Sequence, residues 1–281
     1  MEIREALDQE RAEIFSNVHE VWPHDPNLKT HINLRLASRQ HLHAKWYIVK
    51  MNDQIVASLA AYPYDFVING ESKKGLAIGA VHTVKSHRKQ GLARKLMDYV
   101  HLTEKQGGAS LSILFSDIPP AYYRAMGYRD INMKHGFQEA LDKGISLEKV
   151  SEDKYENLQG WQSSVLVENN GKHECWLSRR HCYLACFKCS DLNGEILVGD
   201  YEGEKMVLNW NLAPNKLNHF SDLVAQAAFD LGVERLKYWY PLDDLAPENS
   251  TEATAEVPMV LSLDGEDYSD LNWFLQPLNH V

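Results

Sequence analysis

The residues richest in chemistry lie in one run, Val84–Leu102, with the sequence VKSHRKQGLARKLMDYVHL. Lys85, Arg88, Lys89, Arg94 and Lys95 crowd around a single glycine, Gly91, in a chain whose formal net charge is −10. A strand that passes through a short turn into a helix leaves the first helical amides unpaired, at the positive end of the helix dipole. A phosphate accepts hydrogen bonds there, and glycine lets the backbone approach it closely. Gly91, Leu92, Ala93 and Arg94 would supply the amides, and the surrounding cations raise the local potential. The run has neither the G-x-x-x-x-G-K-[ST] of a P-loop nor the G-x-G-x-x-G of a dinucleotide turn. One short basic cluster on an acidic protein is a poor footprint for nucleic acid. A solvated basic helix start, with no ligand, accounts for the same cluster.

Two titratable groups flank this run. His82 lies in the apolar stretch GLAIGAVHTV, and imidazole titrates near neutrality, as proton abstraction requires. Strand alternation puts it opposite Val81 and Thr83, toward the core, where a lone histidine also serves structure. Asp117 follows the apolar stretch ASLSILFS. Farther on, Cys175, Cys182, Cys186 and Cys189 sit near His173 and His181, so zinc has to be considered. The segment HCYLACFKCSD reads as a strand, which turns Cys182 and Cys186 to one face and Cys189 to the other. Buried, reduced cysteines and no metal are expected.

The elements that must position these groups follow from periodicity. DQERAEIFSNVHEVW places Ile14, Val18 and Val21 at helical spacing, and a second helix is expected over Pro26–Arg39. Strands follow around turns at Asn52-Asp53 and Asn69-Gly70, then a buried strand over Leu76–Val84. From Gly91, Leu92, Leu96 and Val100 recur every fourth residue and predict an amphipathic helix that stops at Gly107-Gly108. PPAYYRAMGY reads as a short helix. The second half repeats the order strands, helix (LNHFSDLVAQAAFDLG), strand (VERLKYWY), without the basic glycine turn. From Pro241 to Val281 there are nine acids and no Lys or Arg.

Composition bounds the rest. The 281 residues are 44% hydrophobic and 24% charged, as in a globular protein with a core of normal size. The opening MEIREALDQERAEIF has no apolar h-region, and no apolar run reaches the roughly 20 residues that span a bilayer. A cytoplasmic location and no membrane partner are expected.

The string VHTVKSHRKQGLARKLM resembles the acetyl-CoA signature of the GCN5-related N-acetyltransferases (GNAT), R/Q-x-x-G-x-G/A. Arg88-Lys89-Gln90-Gly91-Leu92-Ala93 fits it. Downstream, ILFSDIPPAYYRAMGYRD resembles the family's F/Y-Y-x-x-x-G-F/Y segment. The likeness covers residues 1–135. More loosely, LFSDI…YY…GY and the acidic C-terminal half look like a lysine N-acetyltransferase subgroup known from fungi.

The resemblance implies an α/β mixed sheet whose two central parallel strands splay apart, with the pantetheine arm in the gap. Backbone of His82, Thr83 and Val84 would hold that arm, and Arg88 to Arg94 the pyrophosphate. It also implies that Tyr123 protonates the departing thiolate, with Tyr122 as its substitute. Many relatives carry a glutamate base on the first splayed strand; GLAIGAVHTV has none. His82, Asp117, the terminal carboxylate of Val281 and a water relay remain as candidates. The expected organisation is a GNAT acetyl-CoA-binding domain over residues 1–142 and a degenerate GNAT-like α/β lobe over 143–281. The expected function is acetyl transfer from acetyl-CoA to a primary amine (lysine, a polyamine or a peptide amine), helped by the acidic segment. The competing expectation is a non-catalytic acyl-CoA sensor or scaffold. The oligomeric state is open.

Overall fold

The computed structural model describes residues 1–131, 133–150, 165–167, 182–201, 203–212, 214–240, 257–271 and 273–275. The chain opens with β1 (Glu2–Glu5), α1 (Arg11–Val18), α2 (Leu28–Ala37) and α3 (Arg39–His43). The helix expected over Pro26–Arg39 is α2, and the separate short helix α3 follows it. Ser38 is extended (ψ 120°), which stops α2, and its hydroxyl then accepts from the His41 amide to start α3. Strands β2 (Lys45–Met51), β3 (Gln54–Ile68) and β4 (Glu71–Thr83) form a meander. Its turns, Asn52-Asp53 and Asn69-Gly70, have positive φ at both residues, the geometry that suits the strand twist.

Next come α4 (Leu92–Gln106), β5 (Leu111–Ser116), α5 (Ala121–Arg124) and β6 (Arg129–Asp130). Leu92, Leu96, Met97 and Val100 bury one face of α4 against Tyr47, Leu59, Leu76 and Ile78. On the opposite face of the sheet, Ile14 and Phe15 of α1 pack in one cluster with Trp46, Ile48, Ala60 and Ala77. The sheet therefore has α4 on one side and the short N-terminal helices on the other.

The remaining elements are β7 (Lys134–Glu139), β8 (Glu148–Val150), β9 (Val165–Val167), β10 (Tyr183–Cys189), β11 (Gly194–Tyr201) and β12 (Glu204–Asn211). They are followed by α6 (Phe220–Leu231), β13 (Arg235–Tyr240), β14 (Val257–Ser262) and β15 (Trp273–Phe274). The first sheet runs β1-β2-β3-β4-β5-β14-β6, with β9 on β3 and β15 on β9. The second runs β7-β13-β12-β11-β10-β8. In it, α6 joins the parallel pair β12 and β13 as α4 joins β4 and β5, which is the architectural echo expected of the second half. The fold is mixed α/β with two lobes. Cys186 and Cys189 enter different core clusters on opposite faces of β10.

Strand β14 lies in the segment read from sequence only as acidic. Val257, Met259 and Leu261 turn to the α4 side and Val260 to the α1 side, so the period is two. It pairs antiparallel with all six residues of β5. Just after it, Asp264 and Glu266 meet Lys73, and Asp267 meets Arg129, so these acids are matched by bases. Among the described residues no helix is long and apolar enough to cross a membrane.

Under α4, the Tyr128 hydroxyl links Ser112 Oγ (2.7 Å) to His101 Nε2 (2.9 Å). Burial pushes the His101 pKa down to about 4, against about 6.5 in an unfolded chain. Between those values the unfolded chain binds a proton that the native one does not. Stability is thus full above about pH 6.5 and drains as pH falls toward 4, by an amount on the order of 3 kcal/mol for this group. His101→Gln is expected to flatten that part of the curve. Urea unfolding from pH 7.5 to 4.5 checks this, and an unchanged slope in the variant contradicts it.

Candidate active site

The site begins where two parallel strands part. Strands β4 and β5 pair only from Gly75↔Leu111 to Ile78↔Leu114. A Cβ on Gly75 would lie 2.7 Å from both the Leu111 carbonyl and the Phe66 ring, so this close start to the pair requires glycine. Beyond Ile78, β4 continues on β3 to Thr83, while β5 stays with β14. The β5-facing backbone of Gly79–Thr83 therefore has no ladder partner among the described residues.

The side chains along this open edge are set by a bulge. Ser58 pairs with His82 and Ala60 with Gly79, so Ala80 and Val81 together oppose Leu59. Ala80 takes φ +49°, a conformation that a non-glycine residue adopts only under constraint. The extra residue reverses the alternation. Ile78 packs on the α4 side, Ala80 on the α1 side and Val81 on the α4 side again. His82 consequently faces α1, not α4.

There His82 meets Glu20, two residues beyond the end of α1. His82 Nε2 lies 3.3 Å from Glu20 Oε1, and the imidazole is 4% exposed. Arg88 Nη2 donates to the same Oε1 (2.8 Å), and its Nε donates to the Thr83 carbonyl (2.9 Å). Burial lowers the His82 pKa, with Glu20 opposing that shift and Arg88 adding to it. His82 Nδ1 is buried and has no hydrogen-bond partner among the described residues. Ser16, Asn17, His19, Glu20, Leu28, His82, Val84, Lys85 and Ser86 line a cavity of about 600 Å³.

The glycine turn follows at once. A 3-10 turn over Lys85–His87 leads to Lys89 (φ +63°) and Gly91 (φ +72°), which opens α4. No side chain caps the helix. A Cβ on Gly91 would meet nothing within 4 Å, so the glycine serves the torsion and leaves open space before the first amides. Arg88, Lys89, Gln90 and Arg94 are exposed around them, and Leu92 is buried beneath. A free helix start, an open approach and four flanking cations (Lys85, Arg88, Lys89, Arg94) suit a pyrophosphate.

Tyr123 is buried in the α4-side core, edge-on to Tyr122 and Tyr128. Burial raises its pKa, and the nearby Asp117 charge raises it further. Burial raises the Tyr122 pKa, and the Arg94 charge opposes that shift. Asp117 is exposed. Two groupings thus emerge: His82 with Glu20 and Arg88, and Tyr123 with Tyr122 and Asp117. Val281 lies outside the described residues. Glu20 escaped the sequence reading because a carboxylate on a helix end carries no motif; its role follows only from where the bulge aims His82.

Residues 2–131 match the family model for the acetyltransferase (GNAT) domain. The match spans a little under half of the 281 residues, and over it the chain is similar to GNAT acetyltransferase domains. The fold is similar to that of solved structures over nearly the whole chain. A conserved protein of unknown function from Enterococcus faecalis, called a probable N-acyltransferase, superposes with a TM-score of 0.69 at 16% identity, over 94% of this chain and 72% of the other. A GCN5-related N-acetyltransferase from Kribbella flavida gives 0.67 at 12% identity, over 94% and 71%. Another from Anabaena variabilis gives 0.66 at 13% identity, over 93% and 72%. No curated protein matches the sequence.

At Gly91 an added Cβ has open space around it, so the cost of Gly91→Val is chiefly torsional. A left-handed β-branched residue is expected to lose at least about 1–2 kcal/mol. Denaturant unfolding reads this directly. A variant as stable as the parent would mean that the left-handed turn is not needed.

Proposed function

We propose that the chain is an acetyl-CoA-dependent N-acetyltransferase acting on a primary amine. The observation that carries this reading is the uncapped, cation-flanked start of α4 at the mouth of the gap between β4 and β5. A pyrophosphate on the amides of Gly91–Arg94, flanked by Arg88, Lys89 and Gln90, leaves the pantetheine arm to run along the unpaired edge of β4. Its amide groups then find the backbone of His82, Thr83 and Val84. An edge amide there can also polarise the thioester carbonyl as negative charge develops on its oxygen.

The ammonium form first gives one proton to solvent; the neutral amine nitrogen then attacks the acetyl carbon, the C–N bond forms and the C–S bond breaks. The surplus proton on nitrogen passes to a base, which we take to be His82. The departing thiolate takes the phenol proton of Tyr123, whose raised pKa keeps it protonated at neutral pH. Proton exchange with solvent resets both groups, and the products are the acetamide and CoA thiol. Asp117 acts through its charge, which adds to the upward shift of the Tyr123 phenol. A cationic amine such as lysine, a polyamine or a peptide amine suits a cavity with Glu20 on its wall. The looser likeness to fungal lysine N-acetyltransferases favours lysine among these, and the cytoplasm is the proposed location.

Residues 1–142 supply the cofactor turn and residues 143–281 shape the substrate side in this reading. That split marks roles more than sheets, since β7 precedes it in the second sheet and β14 follows it in the first.

Acetyl-CoA binding by calorimetry, with CoA thiol release over a panel of amines, tests the proposal. Tyr123→Phe is expected to keep acetyl-CoA affinity and to lose roughly 100-fold in kcat. Tight binding with no turnover on any amine would favour an acyl-CoA sensor instead.

A further inference from the structure

We infer that Glu20 is the positioning residue that makes His82 the proton acceptor for the incoming amine. This inference rests on the acetyl-transfer reading above and names a part of the site that no motif marks.

The argument is one of proton inventory. An ionised carboxylate only accepts hydrogen bonds, so at the Glu20–His82 contact the proton sits on His82 Nε2. Burial lowers the His82 pKa and so favours the neutral ring, and a neutral ring protonated on Nε2 carries a lone pair on Nδ1. That nitrogen is buried and has no partner among the described residues. A buried acceptor without a donor is destabilising and rare in a native fold. It becomes intelligible if the donor arrives with substrate. The same histidine lines a cavity of about 600 Å³ that can admit one.

The setting favours an amine as that donor. Glu20 is the acid on the cavity wall, and its side chain is 47% exposed, so it can draw in a cation. The charged or titratable groups facing His82 are Glu20 from the end of α1 and Arg88 from the glycine turn, with His19 and Lys85 on the same cavity wall. Arg88 fixes the carboxylate through Oε1 and is itself held by the Thr83 carbonyl. The carboxylate is thus held from the same turn that would bind pyrophosphate. When the nitrogen gives up its proton to Nδ1, the imidazolium formed has Glu20 at its other nitrogen. One proton moves, from nitrogen to nitrogen, and no redox partner is involved.

The test uses the full chain with Glu20→Ala, Glu20→Gln and His82→Gln. Acetyl-CoA binding, measured by calorimetry, is expected to persist in all three, and rates are compared at saturating acetyl-CoA. For Glu20→Ala, kcat is expected to fall roughly 10- to 100-fold, and the acidic limb of its pH–rate profile to move to lower pH, because the charge that raised the His82 pKa is gone. Glu20→Gln keeps an acceptor for Nε2–H, so it should recover part of the rate while showing the same pH displacement. His82→Gln should lose the limb. An independent readout is the 15N spectrum of the histidine rings. The wild type is expected to show His82 protonated on Nε2 only, and Glu20→Ala a mixture of tautomers. An active wild type with an unmoved limb in Glu20→Ala, or a His82 ring protonated on Nδ1, overturns this inference alone. A wild type that binds no acetyl-CoA overturns the acetyl-transfer reading with it.

Discussion

Everything in this molecule that bears on chemistry depends on how briefly β4 and β5 stay together. Four paired positions, from Gly75↔Leu111 to Ile78↔Leu114, fix the strands before they diverge. A parallel pair that continued would satisfy its own backbone and leave nothing to bind. Here each strand finds another neighbour, β3 for β4 and β14 for β5, so the divergence costs the sheet little. The unpaired edge of β4 then runs to the start of α4, where the first helical amides are also free. Two sets of unsatisfied backbone donors and acceptors meet at one corner, and a ligand with both amide and phosphate groups can satisfy both.

The bulge at Ala80 and Val81 is the second constraint. A one-residue slip in a strand moves side chains to the other face. Without it, His82 would share the α4 face with Ile78, packed against an apolar helix. With it, the imidazole reaches the polar end of α1, where Glu20 and Arg88 stand. The strained φ of Ala80 is a local cost that the long β3–β4 ladder holds in place. The same ladder orders the edge that would carry the pantetheine and the face that carries the imidazole.

Much of this was legible in the sequence where local rules dominate. Leu92, Leu96 and Val100 announced α4, Gly91 marked the turn that opens it, and the Asn52-Asp53 and Asn69-Gly70 turns placed the meander. What stayed hidden depends on partners distant in the chain. The VPMVLS strand is short, carries a proline and sits among acids, yet β5 needs it as a neighbour once β4 departs. The extra short helix α3 after Ser38 rests on a single hydroxyl cap. The pairing of Glu20 with His82 joins residues 62 positions apart and depends on a bulge that no local pattern marks.

The central claim is that the free amides at the start of α4 grip an anionic ligand at the end of the parted strands. Titrating 15N-labelled protein with coenzyme A, and following amide shifts residue by residue, tests it most directly. The account predicts the largest displacements at Gly91, Leu92, Ala93 and Arg94, with His82, Thr83 and Val84 moving next. It predicts no comparable change at the start of α6, which has the same architectural place but no basic glycine turn. Equal shifts at both helices, or none at Gly91–Arg94 under saturating coenzyme A, would contradict it.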